Sequence, residues 1–256
     1  MTSLAINNPV VEQHLLGNFT RENHRYPQLP TNRLFASNRE WYFDDESTML
    51  GLVWRAKLAD MGVNLGSSEK GIWQDRLDWV QQHSEDGLYV TPKGTERSWF
   101  DTFDFPQPDV LAYNQGIYAV SLLSADRLGL NIQPGQVQEA ISGYNKLSHP
   151  SGRLQFSQRY DYKEVSSLFG EYLGVTQFGQ SLLGTDTVLA TVATFDEDKN
   201  GYKIVTRSDG GFLDLSEFNR PYQPGDYHNG AEWPFFSAVA QVVAESHGLA
   251  HDVKFW

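Results

Sequence analysis

The chain has no cysteine. Disulfides, a thiol nucleophile and cysteine-ligated zinc are therefore excluded. It has no excess of positive charge either: 32 acidic residues face 20 basic ones, for a formal net charge of −12. A nucleic-acid partner is not expected, because binding a phosphate backbone takes a basic face. Long hydrophobic runs are missing. The longest uncharged stretch, 110–125, contains Asn114 and Gln115 and is too short to span a bilayer. Residues 1–18 carry no basic segment followed by an apolar core, so no signal peptide is expected. The expectation is a soluble, cytoplasmic protein without a membrane partner.

Several motifs are also absent. The seven histidines show no His-Glu-x-x-His or His-x-His spacing, and no metal is expected. His247 and His251 stand four apart, but Gly248 between them points to a frayed helix end. The run Asp196-Glu197-Asp198-Lys199-Asn200-Gly201 lacks the spacing and the final glutamate of a calcium loop and reads as a solvated turn. No Gly-x-Ser-x-Gly supports serine hydrolysis. No glycine-rich phosphate loop, βαβ alternation or strict repeat is present, and no cofactor is expected.

Aromatic residues, by contrast, are plentiful: 7 Trp, 12 Tyr and 15 Phe in 256 residues, 13% of the chain. With 40% hydrophobic residues this predicts a folded protein of one large or two small domains. Residues 1–40 are polar and rich in Pro and Asn, as in an extended lead-in, and residues 41–256 form the predicted domain. Apolar positions at helical spacing predict seven helices. The first begins at Asp45 or Ser47 and ends by Gly62. The others cover about 71–83, 113–128, 135–147, 167–183, 186–195 and 232–246. Residues 201–215, with Asp209-Gly210-Gly211 at the turn, predict a β-hairpin. The fold class is all-α, with the helices arranged as hairpins.

Two segments carry the chemistry. Ser98-Trp99-Phe100-Asp101-Thr102-Phe103 and Tyr227-His228-Asn229-Gly230-Ala231-Glu232-Trp233-Pro234 each set a carboxylate among aromatic rings ahead of an apolar helix. Carboxylates that move protons and rings that hold a pyranose are what sugar cleavage requires. Loops on a helical scaffold are where such sites are built.

These segments, with Tyr113-Asn114-Gln115-Gly116 opening one helix and Trp233-Pro234 another, resemble the six-hairpin (α/α)6-barrel glycosidases. The nearest likeness is to amylo-α-1,6-glucosidase (glycogen debranching) and mannosylglycerate-hydrolase-like domains. Asp44-Asp45 ahead of the first helix fits the same group. The likeness spans roughly residues 25–250, and its order and spacing carry it more than any single motif. It implies a toroid of helical hairpins and inverting hydrolysis of an α-linked glucoside or related glycoside. Six hairpins make such a barrel, whereas seven helices make three and a half. The expectation is a partial barrel, completed by a missing segment or a second chain.

The resemblance makes Asp101 the general acid. Trp99, Phe100 and Phe103 would desolvate its carboxyl and raise its pKa, as a proton donor near neutral pH requires. Its alternative role is to cap a turn or bind a sugar hydroxyl. Glu232 is the candidate base; its alternative is a carboxylate interacting with a helix N-terminus. In several relatives the base lies near the extreme C-terminus, so Glu232 can instead be a substrate contact. Asp44, Asp45 and Asp104 are candidates for binding hydroxyls, against capping or an exposed loop. Trp41, Trp99 and Trp233 are candidates for stacking on sugar faces, against burial in the core. Tyr113, Asn114, Gln115, Tyr227, His228 and Asn229 complete the expected pocket, with packing and capping as their alternative. A non-catalytic fragment that binds a carbohydrate or a partner is the second reading. A terpene cyclase is disfavoured by the lack of Asp-x-Asp-Asp and Asp-Asp-x-x-Asp/Glu motifs.

Overall fold

A computed structural model describes residues 45–92, 106–195, 197–198, 201–214, 216, 222–226 and 228–249. The described residues are mostly helical, with seven α-helices and small antiparallel sheets. The helices are α1 Asp45–Asp60, α2 Ser67–Gln81, α3 Ala112–Arg127, α4 Gln136–Lys146, α5 Phe169–Leu173, α6 Thr185–Val192 and α7 Pro234–Ser246. Among these residues no helix is long and apolar enough to cross a membrane.

Helix α3 is the centre of the packing. Every residue from Ala112 to Leu122 is buried, so the helix has no solvated stripe and must be surrounded. It packs against α1, α4 and α5, and α7 packs against α5. Helix α1 turns Met49, Leu52, Val53 and Ala56 to this core, the spacing of one helical face. It is held to α2 by Arg55, whose Nε meets Glu69 Oε1 at 2.7 Å and whose Nη1 donates to the Val63 carbonyl at 2.8 Å. The closest backbone approach is between α3 and α5. A Cβ built on Gly170 would stand 2.3 Å from Gly116 Cα, so only paired glycines allow the helices to touch there.

The fifth predicted helix is broken up. A 3-10 turn, Val165–Leu168, leads into α5, which continues as a π-turn, Gly174–Phe178, and stops at Gly179 with φ +63°. Buried Glu171 closes the following connection. Its Oε2 accepts from the Leu182 and Leu183 amides at 2.7 and 2.9 Å, and its Oε1 meets Ser181 Oγ at 2.7 Å and His247 Nε2 at 2.8 Å.

The predicted hairpin over 201–215 is corrected. The turn exists: Arg207 N donates to Gly211 O, and Gly210 has φ +87°. Its arms do not pair. Strand β5, Gly201–Tyr202, pairs with β4, Glu197–Asp198, while β6, Val205–Arg207, pairs with the distant β3, Tyr162–Glu164. A further short pair joins β1, Ser84–Glu85, to β2, Leu88–Tyr89. Beyond β6 the ladder takes in one more segment: Ile204 N donates to Ala231 O, and Lys203 bridges Glu232. A remote strand and a loop thus fill the ladder positions that a local hairpin would have used.

Candidate functional site

Helices α1, α3, α5 and α7 meet at their N-terminal ends. The Tyr113 hydroxyl, on the second residue of α3, donates to Oε1 of Glu46, the second residue of α1, at 2.7 Å. The Tyr113 ring stacks on Phe169, the first residue of α5, with centroids 5.7 Å apart. It meets Phe236 of α7 edge-on at 6.4 Å. Phe235 and Phe236 both pack edge-on against Phe169. Trp233 caps α7 ahead of Pro234 and contacts Phe236 at 6.3 Å, the placement in which a proline is tolerated at a helix start. Helices that pack together with their heads joined run in one direction, and α2, α4 and α6 alternate with them along the chain.

Each of these heads carries a carboxylate. Glu46 lies in α1, Asp109 precedes α3, Glu164 precedes the turn into α5, and Glu232 precedes α7. Glu164 and Asp109 are buried, at 2% and 4% exposure, whereas Glu46 and Glu232 are half-buried. Asp109 exchanges two backbone hydrogen bonds with Thr91, and its Oδ1 accepts from the Val110 amide at 2.8 Å. Burial pushes its carboxyl above the usual range, against the pull of the Ser157 hydroxyl, the Val110 amide and the Arg159 guanidinium.

The expected pocket residues divide. Tyr113 and Trp233 belong to the aromatic cluster. His228 stacks on Trp233 at 5.9 Å and is fully buried, which lowers its pKa to about 3 and keeps the ring neutral. Gln115 serves the fold. Its Oε1 accepts from the Tyr89 amide at 2.7 Å, and its Nε2 donates to the Gly87 and Ala140 carbonyls at 2.9 and 2.8 Å. Asn229 does the same for Leu213 and Tyr222, through the amide and carbonyl of the first and the carbonyl of the second. Both amides use all their donors on backbone and have none for a ligand. Asn114 is fully buried, with Nδ2 donating to Thr91 Oγ1 at 2.8 Å. Trp41, Asp44, Trp99, Asp101, Asp104 and Tyr227 lie outside the described residues, as does the Asp45 side chain.

The structure adds Glu46, Asp109 and Glu164 to the residues singled out from sequence. The signal that picked out Glu232, a carboxylate just ahead of an apolar helix, also applies to Glu164, which precedes Val165-Ser166-Ser167-Leu168-Phe169.

Replacing Gln115 by alanine leaves two buried carbonyls and one buried amide without their partner. A loss of about 2 kcal/mol is expected, read as a lower urea midpoint at unchanged slope. If Gln115 lined a binding pocket instead, sugar affinity would fall and the midpoint would hold.

Set against known proteins, the chain matches no family model and no curated protein.

Proposed function

We propose that the protein is a glycoside hydrolase of the (α/α)-toroid type, cleaving an α-linked glucoside or related glycoside with inversion. The observation that supports this reading is the convergence of Tyr113, Phe169, Trp233 and Phe236 with the Glu46 carboxylate at the joined heads of α1, α3, α5 and α7. Alternating helices with their heads at one end are the arrangement a toroid of helical hairpins requires. Tyr113, Phe169 and Phe236 are buried and brace the half-buried Trp233, the ring of this cluster with surface to offer a pyranose, and carboxylates move the sugar's protons. A net charge of −12 suits a neutral ligand better than an anionic one.

In this reading Asp101 protonates the glycosidic oxygen as its bond to the anomeric carbon breaks. A second carboxylate deprotonates the water that attacks from the opposite face. Inversion sets the two carboxyls about 6.5–9.5 Å apart, enough for that water. Glu232 is the candidate that the sequence supplies for the second role.

The test compares the purified chain with Asp101→Asn on a panel of α-glucosides and glycerate glycosides. Turnover by the parent, lost in the variant while binding persists, is expected. Binding by both proteins with turnover by neither would replace this reading with that of a carbohydrate-binding module.

A further inference from the structure

His247 directly follows the last residue of α7. That helix has 13 residues, so its tail stands about 20 Å from the joined heads. There His247 lies between partners from two other elements. Its Nε2 is 2.8 Å from Oε1 of Glu171 on α5. Its Nδ1 is 3.1 Å from Oγ1 of Thr185, the first residue of α6. A carboxylate, an imidazole and a hydroxyl are thus joined in series across 76 and 62 residues of sequence. Burial is graded along the series. The Glu171 side chain is 0% exposed and that of His247 6% exposed, whereas Thr185 is open to solvent.

The surrounding groups place the hydrogens. Glu171 Oε2 accepts from the Leu182 and Leu183 amides, and Oε1 meets Ser181 Oγ at 2.7 Å. A carboxylate ringed by donors acts as an acceptor, so in the neutral imidazole Nε2 carries the hydrogen. Nδ1 then keeps its lone pair, and the Thr185 hydroxyl donates to it. Ser181 Oγ also lies 2.8 Å from the Leu183 carbonyl oxygen and 3.4 Å from His247 Nε2, on the carboxylate side of the ring. Among the described residues His247 is the one partner of the Thr185 hydroxyl. A hydroxyl bonded to a base that a third group orients is the arrangement of an activated nucleophile. Glu171 and His247 alone would fasten the chain; the series continues to a hydroxyl that solvent can reach.

Oxyanion donors stand beside it. Helix α6 has no side-chain cap at Gly184, and Val188 N donates to Gly184 O. The amides of Thr185, Asp186 and Thr187 precede that bond and have no acceptor one helical turn back. They sit at the positive end of the helix, where developing negative charge is stabilised. The Asp186 carboxylate in the same turn disfavours an anionic substrate.

We propose that Thr185, His247 and Glu171 form a second catalytic site, one that hydrolyses small uncharged esters through an acyl-threonine. Thr185 Oγ1 bonds to the carbonyl carbon as its proton passes to His247 Nδ1. The carbonyl electrons move onto oxygen beside the α6 amides. On collapse the carbon–alkoxide bond breaks, and the leaving oxygen takes the proton from His247. Water then attacks the acyl-threonine and gives a proton to His247. The acid departs as Thr185 recovers its proton. Glu171 holds the Nε2 hydrogen throughout and takes no proton. The site is separate from glycoside cleavage and does not depend on it.

The experiment mixes the parent chain, Thr185→Val, Thr185→Ser and His247→Gln with p-nitrophenyl acetate. It follows nitrophenol release from the first turnover onward and maps the acetyl group by mass spectrometry after an acid quench. A burst approaching one nitrophenol per chain is expected, with the acetyl on Thr185. Thr185→Val should lose the burst and at least about a hundredfold in turnover, and Thr185→Ser should keep both. His247→Gln should slow acylation of Thr185 by at least about a hundredfold. Thr185 is on the surface, so Thr185→Val decides the matter even if His247→Gln does not fold. Acetyl found only on lysines or on His247, or equal turnover by Thr185→Val, would overturn the proposal. So would acylation of Thr185 at an unchanged rate in a folded His247→Gln.

Discussion

Alanine at Gly170 is expected to lower stability by about 3 kcal/mol or more, the upper end of what overpacking a well-filled interior costs. The added methyl would stand 2.3 Å from Gly116 Cα and 2.4 Å from its carbonyl carbon. Backbone cannot yield as a flexible side chain can, so α5 would have to move off α3 and separate Phe169 from Tyr113. Gly71, in the interior of α2, provides the comparison. A Cβ there meets nothing within 4 Å, so the same substitution is expected to stabilise by about 0.4–1 kcal/mol. Urea unfolding of the two variants should thus shift in opposite directions. A Gly170→Ala midpoint equal to that of the parent would mean that α3 and α5 do not cross there.

The second large effect is one of pH. Burial lowers the His228 pKa from 6.5 to about 3. Below pH 6.5 the unfolded chain takes up a proton at this ring that the folded chain refuses, so stability falls with pH. The contribution is intact above the unfolded value and declines as pH drops towards 3. At about 1.4 kcal/mol per unit, the loss by pH 4 is about 3 kcal/mol. Glutamine at 228, which carries no titrating group, should flatten this part of the stability profile even if it lowers the plateau. An unchanged acid slope in His228→Gln would assign the acid sensitivity to other groups. Asp109 works in the opposite sense. Its raised carboxyl contributes stability that is present at low pH and lost as pH rises through its folded value.

The helices were legible because their signals are local. Apolar spacing found all seven, and most ends fell within a few residues. The misses have physical causes. Helix α2 begins at Ser67, four residues before the predicted start, because Gly71 is accommodated within the helix instead of preceding it. The predicted fifth helix gave way at Gly174, where a Cβ would stand 2.7 Å from the Gln180 carbonyl. The partner of Val205–Arg207 lies some forty residues upstream in Tyr162–Glu164, a pairing that no periodicity announces. At the site, Tyr113 and Trp233 were legible as rings at helix starts. The roles of Gln115 and Asn229 were not, because sequence does not show that their amides are consumed by distant backbone. Glu164 escaped notice because its burial comes from neighbours distant in sequence.

The Leu182 and Leu183 amides have a side chain as their acceptor, the Glu171 carboxylate, which also grips His247 just past the end of α7. Two stretches remote in sequence therefore share one fastening. Displacement of the Glu171 carboxylate would release both stretches at once, so the two regions are expected to open as one unit in hydrogen exchange and not to fray independently. Glu171 itself stands on α5, so the far end of α7 is fastened directly to that helix.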